Sequence, residues 1–325
     1  MMKEVLLMRG AKRIVEYNAG VKPGEKVLII TDFSEQIPHA QALAGAVWQA
    51  GAEPIISIIV PRKTPGQEPP ELVAESMKKA DVILLPLSIS ITHTPALKAA
   101  LGEGARAIVL TDITDGLMNE GGIEADFEEV KPLCEKVAKL LTDTNFVTLT
   151  SPRGTHLTMS LEGRKGNAHT GLAREPGTAS TVPDIEANIS PVEESAEGVF
   201  VADGSIPYYQ IGVLREPVVF TIKKGKVAKI EGGDQATTIS NMMAAQNNPL
   251  VYNLAQLAFG LNPKCKMSGL TLDDEGVYGT AHIGIGTSIV LGGEVMASMH
   301  FDAVMWKPSL EADGKVVLKE GEWLI

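Results

Sequence analysis

Cysteine is nearly absent: Cys134 and Cys265 are the only two, far apart and in no metal-ligand spacing. That excludes a disulfide framework or a thiolate metal site and points to free thiols in a reducing compartment. Aromatic residues make up only 5% of the chain, so its core has to come from Val, Ile, Leu, Ala and Met. No apolar run reaches the ~18 residues that suggest a membrane-spanning helix. The N-terminal stretch MMKEVLLMRGAKRIVEYNAG mixes both charge signs and lacks an apolar run and a small-residue cleavage site, unlike a secretory signal. Positive charge is in deficit: 29 Lys and Arg face 40 Asp and Glu, a net charge of −11. Nucleic acid and anionic membranes are therefore poor partners, and the expectation is a soluble, cytoplasmic protein acting on a small molecule. The densest basic cluster, Lys223-Lys224-Gly225-Lys226, reads as a hairpin turn. No GxGxxG follows the first strand and no GxxxxGK(S/T) occurs, so the two strongest nucleotide signatures are missing. HExxH, a nucleophile elbow and paired cysteines are missing too.

What is present is a chain of 325 residues, 44% apolar and 21% charged, enough for two ordinary domains with real cores. Short β-branched runs at Lys26–Ile30, Pro54–Val60, Asp81–Leu87 and Ala107–Leu110 alternate with helical stretches at His39–Ala50, Pro70–Lys79, Pro95–Leu101 and Phe127–Leu141. This alternation predicts a parallel-sheet α/β domain over residues 1–145. Residues 146–325 change character and predict an α+β metal-binding catalytic domain rich in antiparallel strands. Thr144–Leu161 reads as two strands around a Pro-Arg-Gly turn, and Val199–Gly233 as a meander. Thr238–Ala258 reads as mostly helical with a break at Asn247-Asn248-Pro249, Thr280–Val304 as strand, and Gly163–Pro183 as a long loop.

The candidate chemistry lies in that second half. His300 and Asp302 are two apart in MHFDA, and on a strand residues i and i+2 project from one face, where imidazole and carboxylate can meet one cation. His282 sits in GTAHIGIG, framed by glycines that keep a pocket open. A lone His is more often a hydrogen-bonded core residue than a ligand, and that reading stays open for each taken singly. Together, two His and a carboxylate suit Zn, Mn, Co or non-haem Fe. Glu186, in PDIEANISP, sits in a strand-like segment where a lone buried carboxylate is costly unless paired or metal-bound. Glu193, Glu194 and Glu197 read as a solvated turn. His156 faces either core or pocket, His93 sits at a helix start, and His39 and His169 read as surface residues.

Four stretches in order, SPRGTHLTMSLEGR, TVPDIEANISPVEESAEGVFVADGSI, NLAQLAFGLNP and GTAHIGIGTSIVLGGEVMASMHFDAVM, resemble the aminopeptidase T-like family of thermophilic metallo-aminopeptidases. The 2,5-dihydroxypyridine 5,6-dioxygenases belong to the same superfamily. The resemblance runs over essentially the whole chain, SITHTPALKAALGEGARAIVL included, and implies a homodimer with a C-terminal metal site. It maps family metal ligands onto Glu186, His282, His300 and Asp302. The aminopeptidases' second Glu falls on Gln256, which cannot bridge two cations as a carboxylate does, and their catalytic Tyr falls on Ile289. The dioxygenases hold one iron with two His and an Asp; His300 and Asp302 match two of these, Gln256 stands at the third, and His282 matches none. The leading expectation is a metal-dependent, aminopeptidase-like hydrolase of a small amide or peptide, with Glu186 and Gln256 as catalytic groups and a divalent ion (Zn, Mn, Co or Fe) activating water. The alternatives are a non-haem Fe(II) ring-cleaving dioxygenase of a hydroxypyridine-like compound and a non-catalytic ligand-binding relative.

Overall fold

The computed structural model describes residues 2–92, 94–208 and 211–325. The chain opens with α1 (Met2–Lys12) and continues with β1 (Lys26–Asp32), α2 (Ile37–Gln49), β2 (Glu53–Ile59), α3 (Glu71–Met77), β3 (Val82–Leu85), α4 (Pro95–Gly102), β4 (Arg106–Val109), α5 (Asp115–Asn119) and α6 (Phe127–Asp143). β1 to β4 and α2, α3, α4 and α6 are the expected strands and helices; α1 and α5 are additional. β3 and β4 are buried at every position, which is why they read as continuous apolar runs rather than alternating ones. α4 starts where local chemistry dictates: the Thr94 hydroxyl accepts from the Leu97 N–H, and Pro95 occupies the first turn, where no N–H is needed.

Strands dominate the rest: β5 (Phe146–Thr150), β6 (His156–Ser160), β7 (Asn167–His169), β8 (Ala179–Thr181), β9 (Glu186–Ile189), β10 (Glu197–Ala202), β11 (Ser205–Ile206), β12 (Gly212–Val213), β13 (Val218–Lys223) and β14 (Lys226–Glu231). Then come α7 (Asp234–Ala245), β15 (Leu254–Gly260), α8 (Thr271–Asp274), β16 (Thr280–Gly286), β17 (His300–Trp306), β18 (Ser309–Ala312), β19 (Lys315–Lys319) and β20 (Glu322–Trp323). Two expectations need correction. The helix expected to reach Ala258 ends at Ala245, and Leu254–Gly260 is a strand buried at all positions; an apolar run this short does not distinguish strand from helix, and pairing with neighbours decides. The loop expected over Gly163–Pro183 contains β7 and β8, because the polar, β-branched Ala179–Thr181 finds an open sheet edge beside β4.

The chain divides into two compact units, Met1–Phe127 with His169–Pro183, and Glu128–Ala168 with Asp184–Ile325. Where the sequence reading has one boundary after residue 145, the packing has three crossings, since β8 returns to the first sheet. The first unit holds a five-stranded parallel sheet in the order β2-β1-β3-β4-β8. Leu28, Ile30, Ile83, Leu85 and Leu97 form its core with Met77. Arg106 ties the strand ends to the segment before β1: it donates to both carboxylate oxygens of Glu25, at 2.9 and 2.7 Å, and to the carbonyls of Ala19 and Gly20. The second unit holds an eight-stranded sheet, β14-β13-β10-β6-β5-β18-β19-β20, and a five-stranded one, β17-β16-β15-β9-β7. Among the described residues no helix is long and apolar enough to cross a membrane.

Candidate metal centre

The smaller sheet of the second unit assembles the site through its register. β17, β16, β15 and β9 are consecutive antiparallel neighbours, with Gly284 opposite both Asp302 and Gln256, His282 opposite Val304 and Ala258, and Gly260 opposite Glu186. Residues directly opposite one another share a face, and so do i and i+2. His300 and Asp302, His282, Gln256 and Glu186 therefore project from one face of four adjacent strands. Gly284 lies in their middle and leaves the gap: a Cβ there would stand 2.7 Å from His300 Cε1 and 2.8 Å from His300 Nε2.

The side chains converge. His300 Nε2 is 3.3 Å from Asp302 Oδ2, His282 Nε2 is 3.0 Å from Glu186 Oε2 and 4.0 Å from Asp302 Oδ1, and Gln256 Nε2 lies 3.4 Å from His282 Nε2. Two atoms bound to one ion at about 2.1 Å are at most about 4.2 Å apart, so each imidazole–carboxylate separation is compatible with a shared ion. Two further observations fit. His300 Nδ1 donates to the Thr287 carbonyl at 2.9 Å, which leaves Nε2 as the lone-pair nitrogen turned toward Asp302. Asp302 is 2% exposed, yet its Oδ1 has no hydrogen-bond partner among the described residues, a costly condition for a buried carboxylate oxygen that a cation would relieve. Burial disfavours charge on all three groups, but the carboxylates facing His282 and His300 outweigh it and raise both imidazoles, while the two His hold Asp302 below the usual carboxylate range.

Three more residues belong here that the sequence reading missed. Asp184, Glu186 and Glu275 each bring a carboxylate oxygen to within 4.8 Å of the others. The Tyr208 hydroxyl lies 2.9 Å from Glu275 Oε1 and 3.3 Å from Asp302 Oδ2. Burial first, then the charges of Asp302, Glu186 and Asp184, push the Glu275 carboxyl well up; burial and the same acidic surroundings raise the Tyr208 hydroxyl. Asp184 had a signal, since Asp184-Ile185-Glu186 repeats the i, i+2 spacing of His300 and Asp302. Glu275 and Tyr208 had none, for they arrive on connections. Gln256 is buried beside His282, with Nε2 also 3.5 Å from Glu186 Oε1.

The other candidates lie elsewhere. Glu193 pairs with Arg164, and Glu197 accepts from the Lys224 N–H. His156 is exposed on β6. Ile289, where the aminopeptidase Tyr was expected, is 43% exposed in a short helical turn. His39, read as a surface residue, is 2% exposed and bonded to Asp115, because α2 lays it against the start of α5. His93 lies outside the described residues.

Comparison with known proteins favours one of the two resemblances. A family model for NicX, 2,5-dihydroxypyridine 5,6-dioxygenase, matches residues 12–325. A curated 2,5-dihydroxypyridine 5,6-dioxygenase of Pseudomonas putida is 24% identical over 257 residues, 76% of this chain and 72% of that protein. In solved structures, the 2,5-dihydroxypyridine dioxygenase from Pseudomonas putida KT2440 superposes with a TM-score of 0.85 at 19% identity, covering 99% of this chain and 97% of the other. Wild-type AmpT from Thermus thermophilus follows at 0.70 and 16%, covering 99% of each chain. These structural likenesses establish the shared fold. The expected aminopeptidase-like hydrolase is overturned by the match to the dioxygenase family, which runs nearly end to end along the chain; Gln256 departs from both ligand patterns and Ile289 from the peptidase's. By sequence along almost its whole length, the chain belongs to the 2,5-dihydroxypyridine 5,6-dioxygenase family.

Proposed function

We propose that this protein is a ring-cleaving dioxygenase that opens an electron-rich, hydroxylated nitrogen heteroaromatic of the dihydroxypyridine type. The observation that carries the reading is the His300–Asp302 pair on β17 facing His282 across one buried sheet face, in a chain of the dioxygenase family. His300, Asp302 and His282 would hold one ferrous ion, with Glu186 beside them; His282 would serve in place of the family's other His, whose position Gln256 takes, 3.4 Å away. Bound there, such an ion supplies open coordination positions at which the ring oxygens and dioxygen meet. Gln256 favours a single ion over a pair, because an amide adjoins His282 and Glu186 where a carboxylate would be needed to bridge a second cation.

The chain's own residues supply the rest. The Thr287 carbonyl fixes the His300 tautomer, keeping Nε2 available. Tyr208 has one hydroxyl proton for two acceptors; its shorter contact is to Glu275, so Asp302 Oδ2 remains available to a cation. Burial and the neighbouring carboxylates favour the protonated form of Glu275, so the Glu275–Tyr208 pair would hold a proton that can be given to a bound ring oxygen.

The test is metal analysis on anaerobically purified protein, followed by oxygen-electrode measurements with 2,5-dihydroxypyridine. About one iron per chain and one dioxygen consumed per ring opened are expected. Protein loaded with Fe(II) that consumes no oxygen with any dihydroxypyridine would overturn the reading.

A further inference from the structure

The parallel sheet of the first unit ends in a bare strand. β2 stands at one end of the order β2-β1-β3-β4-β8, and among the described residues it pairs with β1 alone. The Glu53 N–H donates to the Glu25 carbonyl at 2.8 Å, and the Ile59 carbonyl accepts from the Phe33 N–H at 3.2 Å. Odd-numbered positions of β2 therefore turn their backbone groups toward β1, and the N–H and C=O of Ile56 and Ile58 point out of the sheet. Natural proteins blunt such edges with charge, proline or a bulge within the strand. Here the central run is Ile55-Ile56-Ser57-Ile58-Ile59-Val60, uncharged and β-branched apart from Ser57. An uncharged β-branched run on an open edge is a template for another strand.

The side chains of this edge are uncovered too. Ile56 and Ile58 lie beside Ile29 and Thr31 of β1 on one face of the sheet, and Val60 and Phe33 continue the same two rows. Ile56, Ile58, Val60 and Phe33 are 38%, 45%, 64% and 66% exposed, a contiguous apolar strip rather than scattered residues, and such strips mark interaction surfaces. Trp48, near the end of α2, which packs against β2, is exposed as well.

We propose that this edge binds a second copy of the chain, the two β2 strands running antiparallel about a two-fold axis at Ser57. The edge is self-complementary in that arrangement. Ile56 and Ile58 of one copy fall opposite Ile58 and Ile56 of the other, and each pair exchanges both N–H and C=O. Pro54 falls opposite Val60. Pro54 has no N–H to give, and the Val60 carbonyl already accepts from Arg62 of its own chain, through Nε at 3.1 Å and Nη2 at 2.6 Å. Glu53 falls opposite Pro61, beside Arg62 and Lys63 of the second copy, so the acidic end of each strand meets the basic end of the other. A register shifted by two residues loses this match. It sets the Ile58 carbonyl against the proline, or the Ile56 N–H against the occupied Val60 carbonyl. The contact is isologous and closes at two copies.

The experiment is analytical ultracentrifugation of the full chain at micromolar concentration, joined to disulfide trapping. The wild-type chain is expected to sediment as a dimer. Ile58→Lys puts a charge on the edge at a half-exposed position; it should weaken association by about tenfold or more while the circular dichroism spectrum stays that of the folded chain. Ser57 and its counterpart at the axis form a non-hydrogen-bonded pair with Cα atoms about 4.5 Å apart, within reach of a disulfide. Ser57→Cys should therefore cross-link two chains under mild oxidation. Glu53→Cys, far from its own counterpart in this register, should not, and the native Cys134 and Cys265 are buried. A monomeric wild-type chain, a dimer that Ile58→Lys leaves intact, or cross-linking of Glu53→Cys as readily as of Ser57→Cys would each overturn the proposal.

Discussion

The gap at Gly284 offers the sharpest test of the metal centre. Gly284→Ala adds one methyl group, and the glycine's φ is not in the left-handed region, so an alanine backbone is accommodated without strain. The methyl carbon would stand 2.7 Å from both Gln256 Cβ and His300 Cε1, and 2.8 Å from His300 Nε2. Comfortable carbon contacts begin near 3.5 Å, so the imidazole must retreat by roughly 0.8 Å or more, on the side that faces Asp302. Overpacking of this kind costs about 1–3 kcal/mol, offset by about 0.5–1 kcal/mol because glycine itself weakens a strand. The stability loss is therefore small. The functional loss is not, since a displacement near 1 Å at a reacting site costs on the order of 100-fold. Iron affinity, oxygen uptake with 2,5-dihydroxypyridine and melting temperature should be measured on the same sample. The expected result is a melting temperature lowered by a few degrees with activity down by about two orders of magnitude. Gly102→Ala, where a Cβ meets nothing within 4 Å, is the control. If Gly284→Ala keeps wild-type iron affinity and turnover, His300 does not act where its geometry puts it.

His300→Ala and Asp302→Ala should each lower metal affinity by at least about 10–100-fold while leaving a cooperative thermal transition; unchanged metal content with a lowered melting temperature would reduce the pair to a core hydrogen bond. Gln256→Glu places a carboxylate beside His282 and Glu186, and metal stoichiometry by elemental analysis should rise toward two per chain. Tyr208→Phe should shift the pH profile of turnover more than it lowers iron content, because the hydroxyl lies against Glu275 and Asp302; an unshifted profile would remove Tyr208 from the proton pathway. Burial works to raise the Glu25 carboxyl, but its bonds to Arg106 and the Lys22 N–H hold it below the usual range. Its contribution is thus present above the unfolded pKa and lost as pH falls through the lower folded value. Glu25→Gln should cost about 1–3 kcal/mol at neutral pH, and the difference from wild type in denaturant melts should shrink in acid.

The sequence by itself determined four of the five strands of the first sheet and the residue types from which the candidate site is drawn. Strands buried on both faces are mostly apolar, so the apolar stretches of β1, β3 and β4 are visible as runs, and proline and threonine mark the start of α4. The i, i+2 spacing of His300 and Asp302 is a property of any strand, and it needed no partner to be read. Tertiary structure decided everything that depends on which strands become neighbours. Leu254–Gly260 is a strand because β9 and β16 flank it, and Ala179–Thr181 joins the first sheet because β4 offers it an edge. Glu275 and Tyr208 reach Asp302 from residues 27 and 94 positions away, on segments whose local sequence carries no period. Pairing between strands far apart in the chain is set by the collective burial of side chains, not by any one segment's preference; a local pattern therefore shows which groups can bind, and the register shows which of them meet.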